Sequence, residues 1–158
     1  MSATELIFSK IPIKKLSLIV VFCGILADLL LTIMLYFKIC DFSYFQKLFF
    51  QVLVTKGIDP QIVSQEMMQE YFHLIANTTL TLLVLFFIFH LVIYLCAYKK
   101  KLFSLRYLQL YFATGLLGFS GLALTSMVSS ATWFAFSVVE IILFLLALIS
   151  LRRVQREE

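Results

Sequence analysis

Apolar positions fall into four long runs, Leu16–Phe37, Leu74–Tyr98, Leu108–Val128 and Ala131–Leu151, each bounded by charged or turn-forming residues. Crossing the hydrocarbon core of a bilayer as a helix takes about 20 mostly apolar residues at about 1.5 Å rise each. Each run therefore predicts one membrane-spanning helix. Strands of a membrane barrel are segments of about 10 residues that alternate in and out, and runs such as Leu82–Phe89 do not alternate. The predicted fold is all-α, an integral membrane four-helix bundle forming a single domain over residues 1–158.

The connections refine this picture. The third and fourth runs are separated only by Ser129–Ser130, which predicts an antiparallel hairpin. A basic loop of roughly nine residues joins the second and third, and residues 152–158 form a tail. Only residues 38–73 have room for structure, predicting a helical extracytoplasmic excursion between helices 1 and 2. Ser43 with Gln46 three residues on reads as a capping box, opening a helix that ends at Gly57. Its apolar positions Phe45, Leu48, Phe49, Val52 and Leu53 have helical spacing, suiting a helix at the membrane interface or over the outer mouth of the bundle. Asp59-Pro60 reads as an N-cap followed by proline in the first helical position, predicting one helix over Pro60–Tyr98. Val63, Met67 and Tyr71 would form its projecting apolar stripe, packed on the preceding helix or docked to a partner.

Composition agrees with the bilayer as solvent. The chain is 62% hydrophobic and 14% charged, with 16% aromatic residues, against about 45–50% apolar and about 25% charged in soluble domains. Lys and Arg positions set orientation. Lys10, Lys14, Lys15, Lys99, Lys100, Lys101, Arg106, Arg152, Arg153 and Arg156 fall on one side, and Lys38, Lys47 and Lys56 on the other among Asp41, Asp59, Glu66 and Glu70. Both termini are thus expected in the cytoplasm, with the protein in an inner or plasma membrane. The net charge of +4 then marks contact with anionic headgroups, at about 1 kcal/mol per juxtamembrane basic residue, and nucleic acid is not expected as a partner. The first run of 22 residues exceeds the apolar core of a cleavable signal, and no small-residue cleavage site closes it. Bulky, charged Phe37-Lys38-Ile39 argues against lipid modification of Cys40.

Two ionisable groups interrupt the spans, and such residues are functional candidates because burying them in hydrocarbon is costly. Asp28 and Glu140 each lie nine residues from the outer end of their span, about 13 Å deep. Gly24, Asp28 and Thr32 share one face, as do Ser137, Glu140 and Phe144 with Trp133 at the outer end. Thr114, Gly118, Gly121 and Thr125 form a small-residue stripe suited to close helix packing. Three roles are open to the two acids: protonated helix contacts, a proton or cation site, or contact with a partner's membrane helix. His73, His90 and Asn77 are candidate relay residues, although the histidines lie 17 residues apart on one helix, about 25 Å, and cannot share a metal or haem. No metal-ligand spacing, paired-cysteine motif, phosphate-binding loop or nucleophile motif is present, so no cofactor, metal or catalysis is expected. The Asn77-Thr78-Thr79 sequon falls at the membrane boundary, where it would not be used. The expected function is that of a non-enzymatic subunit or accessory component of a membrane assembly, or of a self-associating protein. The alternative is an oligomeric proton- or cation-coupled transporter or channel using Asp28 and Glu140.

Overall fold

The computed structural model describes residues 11–156; Lys10 of the basic group and residues 157–158 of the expected tail lie outside them. The described residues form five α-helices and one 3₁₀ turn: α1 (Ile13–Ile39), α2 (Phe42–Thr55), the turn Pro60–Ile62, α3 (Gln65–Tyr98), α4 (Leu102–Ser129) and α5 (Ala131–Arg156). Helices α1, α3, α4 and α5 are long and apolar enough to cross a membrane.

Local chemistry explains where helix boundaries depart from expectation. The cap of α2 is Asp41, not Ser43: its carboxylate accepts the Tyr44 amide at 3.1 Å, and the helix has already begun at Phe42. At the other end, Gly57 takes the left-handed conformation (φ 71°). There the Ile58 amide reaches back to the Leu53 carbonyl at 2.9 Å, and the Gly57 amide to Val54 at 3.0 Å, a Schellman closure.

Pro60 opens only a short turn, in which the amides of Ile62 and Val63 bond to Asp59 and Pro60 carbonyls at 3.2 and 3.3 Å. Ser64 then caps afresh, its Oγ accepting the Met67 amide at 3.2 Å. The continuous Pro60–Tyr98 helix is thus corrected to 34 residues from Gln65, about 51 Å.

The basic loop is also shorter than expected. Lys99–Lys101 alone separate α3 from α4, with Lys100 left-handed at φ 57°. The Lys101 amide bonds to the Cys96 carbonyl at 3.0 Å and that of Lys100 to Ala97 at 2.9 Å, so a lysine does what glycine usually does. Arg106 consequently lies on α4. The tail expected from residue 152 is helical as far as Arg156.

The chain divides into two compact units: residues up to Asp28 with those from Phe89 onward, and Leu29–Ile88. In the first unit, four helical segments share one core. Leu16, Val20 and Ala27 of α1 meet Ile93, Tyr94 and Ala97 of α3, Leu105, Leu108 and Phe112 of α4, and Phe144, Leu151 and Val154 of α5. Helices α4 and α5 pack as the expected hairpin, joined through one extended residue, Ser130 (φ −161°). The core reaches Leu16, Ala97, Leu105 and Val154, which lie beside Lys14, Lys15, the Lys99–Lys101 linker, Arg106 and Arg152–Arg156. The basic residues therefore gather at one end of this unit.

In the second unit, α2 packs on the first turns of α3 through aromatic rings. Phe42 and Phe45 lie 5.2 and 5.4 Å from Phe72, and Phe49 lies 5.8 Å from Tyr71. The buried positions of α3 here are Met68 and Ala76, four residues either side of half-buried Phe72. The expected stripe of Val63, Met67 and Tyr71 holds only at Tyr71, which meets Phe49 of α2 with its outer side exposed: Val63 lies outside the helix and Met67 is exposed.

Candidate functional site

The polar centre lies in the first unit, and Asp28 is its hub. The Asp28 side chain is completely buried. Its Oδ2 faces His90 Nδ1 at 2.8 Å and accepts the Tyr94 hydroxyl at 2.7 Å, while Oδ1 accepts the Tyr111 hydroxyl at 2.5 Å. On the far side of the imidazole, His90 Nε2 meets the Tyr107 hydroxyl at 2.8 Å. An ionised carboxylate can only accept, so its bond to His90 requires the ring hydrogen on Nδ1. A neutral ring then accepts the Tyr107 hydroxyl at Nε2, and a protonated ring donates at both ends.

Helical spacing builds this arrangement. His90 and Tyr94 lie four residues apart on α3, as do Tyr107 and Tyr111 on α4, so each pair projects from one face. Gly24, one turn before Asp28 on α1, admits the Tyr94 ring: a Cβ at that position would lie 2.5 Å from a ring carbon. Edge-to-face contacts fix the imidazole, with ring centroids 4.5 Å from Tyr111, 5.7 Å from Tyr107 and 5.9 Å from Tyr94.

Glu140 on α5 is also completely buried, yet neither carboxylate oxygen has a hydrogen-bond partner among the described residues. It lies within electrostatic range of Asp28 and of Tyr111. Ser137, one turn before it, donates to the Trp133 carbonyl at 2.8 Å. The Phe144 ring one turn after it stands 5.6 Å from Tyr111. A buried, unpaired carboxylate costs several kcal/mol, and a proton relieves that cost without any change in packing.

The fold thus brings together Asp28, His90, Glu140 and Gly24 of the residues singled out in the sequence. Thr32, His73 and Asn77 belong to the second unit, where Thr32 is half-buried and His73 and Asn77 are exposed. Of the three relay candidates only His90 lies in the unit that holds Asp28. The small-residue stripe faces outward. Thr114, Gly118, Gly121 and Thr125 are all exposed, and no atom lies within 4 Å of a Cβ built on Gly118 or Gly121. Both threonine hydroxyls turn back onto carbonyls of α4 itself. The glycine that does pack is Gly115, whose Cβ would stand 2.7 Å from the Phe144 ring.

Sequence reasoning passed over Tyr94, Tyr107 and Tyr111. Their signal was their four-residue spacing, tyrosine with histidine on α3 and tyrosine with tyrosine on α4. Cys23, Cys40 and Cys96 are free thiols. Among the described residues no group of three or more His, Cys, Asp or Glu could hold a metal ion. The hydrogen bonds of the centre link α1, α3 and α4. The chain matches no protein-family model, no curated protein and no solved structure.

Proposed function

We propose that this chain is a small multi-pass protein of an inner or plasma membrane, with both termini cytoplasmic, that works without catalysis as a proton-coupled transporter or channel component. The observation that carries the reading is the buried Asp28–His90 pair, held among tyrosine hydroxyls beside a second buried acid, Glu140. Serine or asparagine would serve as helix contacts at lower cost, whereas two acids and an imidazole at membrane depth suit groups that gain and lose protons. The gathering of basic residues at one end of the first unit supports the orientation. Reporter fusions at Gly57 and at the C-terminus are expected to read outside and inside respectively, and a cytoplasmic Gly57 would reverse the assignment.

The transport test uses purified protein alone in vesicles carrying an entrapped pH indicator. The parent is expected to pass protons, and Asp28→Asn with Glu140→Gln to fall to the level of empty vesicles. A parent no leakier than empty vesicles would overturn this reading.

One observation favours a second reading, a subunit or accessory component in contact with another membrane helix or a second copy. It is the exposed face of α4 at Thr114, Gly118, Gly121 and Thr125, a surface that permits close helix approach. A stoichiometric membrane partner on purification would support it.

A further inference from the structure

We propose that Tyr107 is the port through which protons reach the buried centre; this inference rests on the proton-coupled reading above. The hydrogen bonds form a continuous series: Tyr107 hydroxyl to His90 Nε2, His90 Nδ1 to Asp28 Oδ2, and Asp28 Oδ1 to the Tyr111 hydroxyl. Tyr111 lies within electrostatic range of Glu140. Exposure gives the series a direction. Asp28, His90 and Glu140 are fully buried and Tyr94 is 1% exposed, whereas Tyr107 and Tyr111 are half-buried. Tyr107 is the less enclosed of these two. It follows Arg106 and stands five residues into α4, about 8 Å from the Lys99–Lys101 linker. The series therefore leaves the core toward the basic end of the unit. Phe89 and Tyr111 hold the Tyr107 ring from two sides, with centroids at 5.6 and 6.3 Å, so the hydroxyl stays aimed at His90. Tyr94, by contrast, ends on the same carboxylate with no way out.

One inward transfer balances as follows. A proton binds the Tyr107 hydroxyl oxygen as that hydroxyl's own hydrogen passes to His90 Nε2. The ring, now carrying hydrogen on both nitrogens, yields the Nδ1 hydrogen to Asp28 Oδ2. The carboxylic acid so formed holds the proton at Asp28, the carboxylate on which the series of hydrogen bonds converges. The net change is one proton taken up from the basic end and one carboxylate converted to an acid, with no electron transferred. The imidazole is left with its hydrogen on Nε2.

The test uses the full chain in vesicles with ¹⁵N-labelled histidine. Two ring systems result: exposed His73 serves as an internal reference and buried His90 as the reporter. Tyr107→Phe is expected to slow exchange of the His90 ring hydrogen with water about tenfold, the rate equivalent of one lost hydrogen bond. The His73 signal should stay at its parent value, and the melting temperature should fall only by the small amount that one lost hydrogen bond brings within a bilayer. Tyr98→Phe, at an exposed tyrosine near the same linker, is expected to leave exchange unchanged. A Tyr107→Phe protein whose His90 ring exchanges as fast as the parent's overturns the port, while proton flux that still depends on Asp28 would leave the transport reading standing. Proton flux unaffected by Asp28→Asn overturns the transport reading and the port with it.

Discussion

Replacing Asp28 by alanine is expected to lower the unfolding free energy by about 2–3 kcal/mol, read from equilibrium unfolding in mixed micelles. The substitution strands three donors: the hydroxyls of Tyr94 and Tyr111 and the Nδ1 hydrogen of His90. A buried donor left without its acceptor costs about 1–3 kcal/mol each in water-soluble proteins. Within a bilayer the mean falls to about 0.6 kcal/mol, because the unfolded chain also finds partners. Three donors near the lower figure, with the space left by the carboxylate, give the expected loss. Asp28→Asn keeps the shape and one acceptor oxygen, and should lose about half as much. An Asp28→Ala protein as stable as the parent would mean that the centre does not hold α1, α3 and α4 together.

The second large effect is expected at Gly24. A methyl group there would lie 2.5 and 2.6 Å from two Tyr94 ring carbons and 2.8 Å from its hydroxyl oxygen. In a loosely held side chain such overlap is relieved by a small rotation. Tyr94 is 1% exposed, and its hydroxyl is tied to Asp28 at 2.7 Å, so withdrawal breaks the centre. Gly24→Ala should therefore cost about 1–3 kcal/mol, as overpacked cores do, despite alanine's better helix propensity. Gly118→Ala and Gly121→Ala are the controls, since a Cβ at either meets nothing within 4 Å. Both should melt at or slightly above the parent temperature. Equal losses at all three glycines would remove the case for a packed contact between Gly24 and Tyr94.

Much of this was legible in the chain because hydrocarbon makes blunt demands. Four runs of about 20 apolar residues leave few alternatives to four long helices, and an ionisable group inside such a run stands out at once. Hence Asp28, Glu140 and His90 could be picked out before any coordinates. The tyrosines could not, because tyrosine is an ordinary resident of membrane interfaces and an ordinary packing residue elsewhere. Only the positions of neighbouring helices show that Tyr94 and Tyr111 converge on one carboxylate.

The direction in which the small-residue stripe of α4 faces was not legible for a related reason. Spacing shows which residues share a face, but not whether that face meets a neighbour. Here Gly115, just off the stripe, is the glycine against a ring, and Gly118 and Gly121 look outward. Boundary errors had local causes. Asp41 lies two residues ahead of Ser43 and captured the cap. Ser64 starts the helix afresh after the short turn that Pro60 opens. A left-handed lysine turned a loop of three residues where glycine was absent.

The joint between α4 and α5 bears on how the chain is made. Helix α4 is the least apolar of the four candidate spans, since it carries the half-buried tyrosines of the centre and the exposed threonine–glycine face. Only Ser130 separates it from the strongly apolar α5. In the proposed topology, a ribosome that has just released α4 presents the insertion machinery with the least apolar of the four spans. Partition becomes favourable once α5 emerges and the two enter together as a hairpin. In that topology the residues that would move protons in the finished protein would also slow the entry of α4 into the bilayer, and the one-residue joint would keep that delay short.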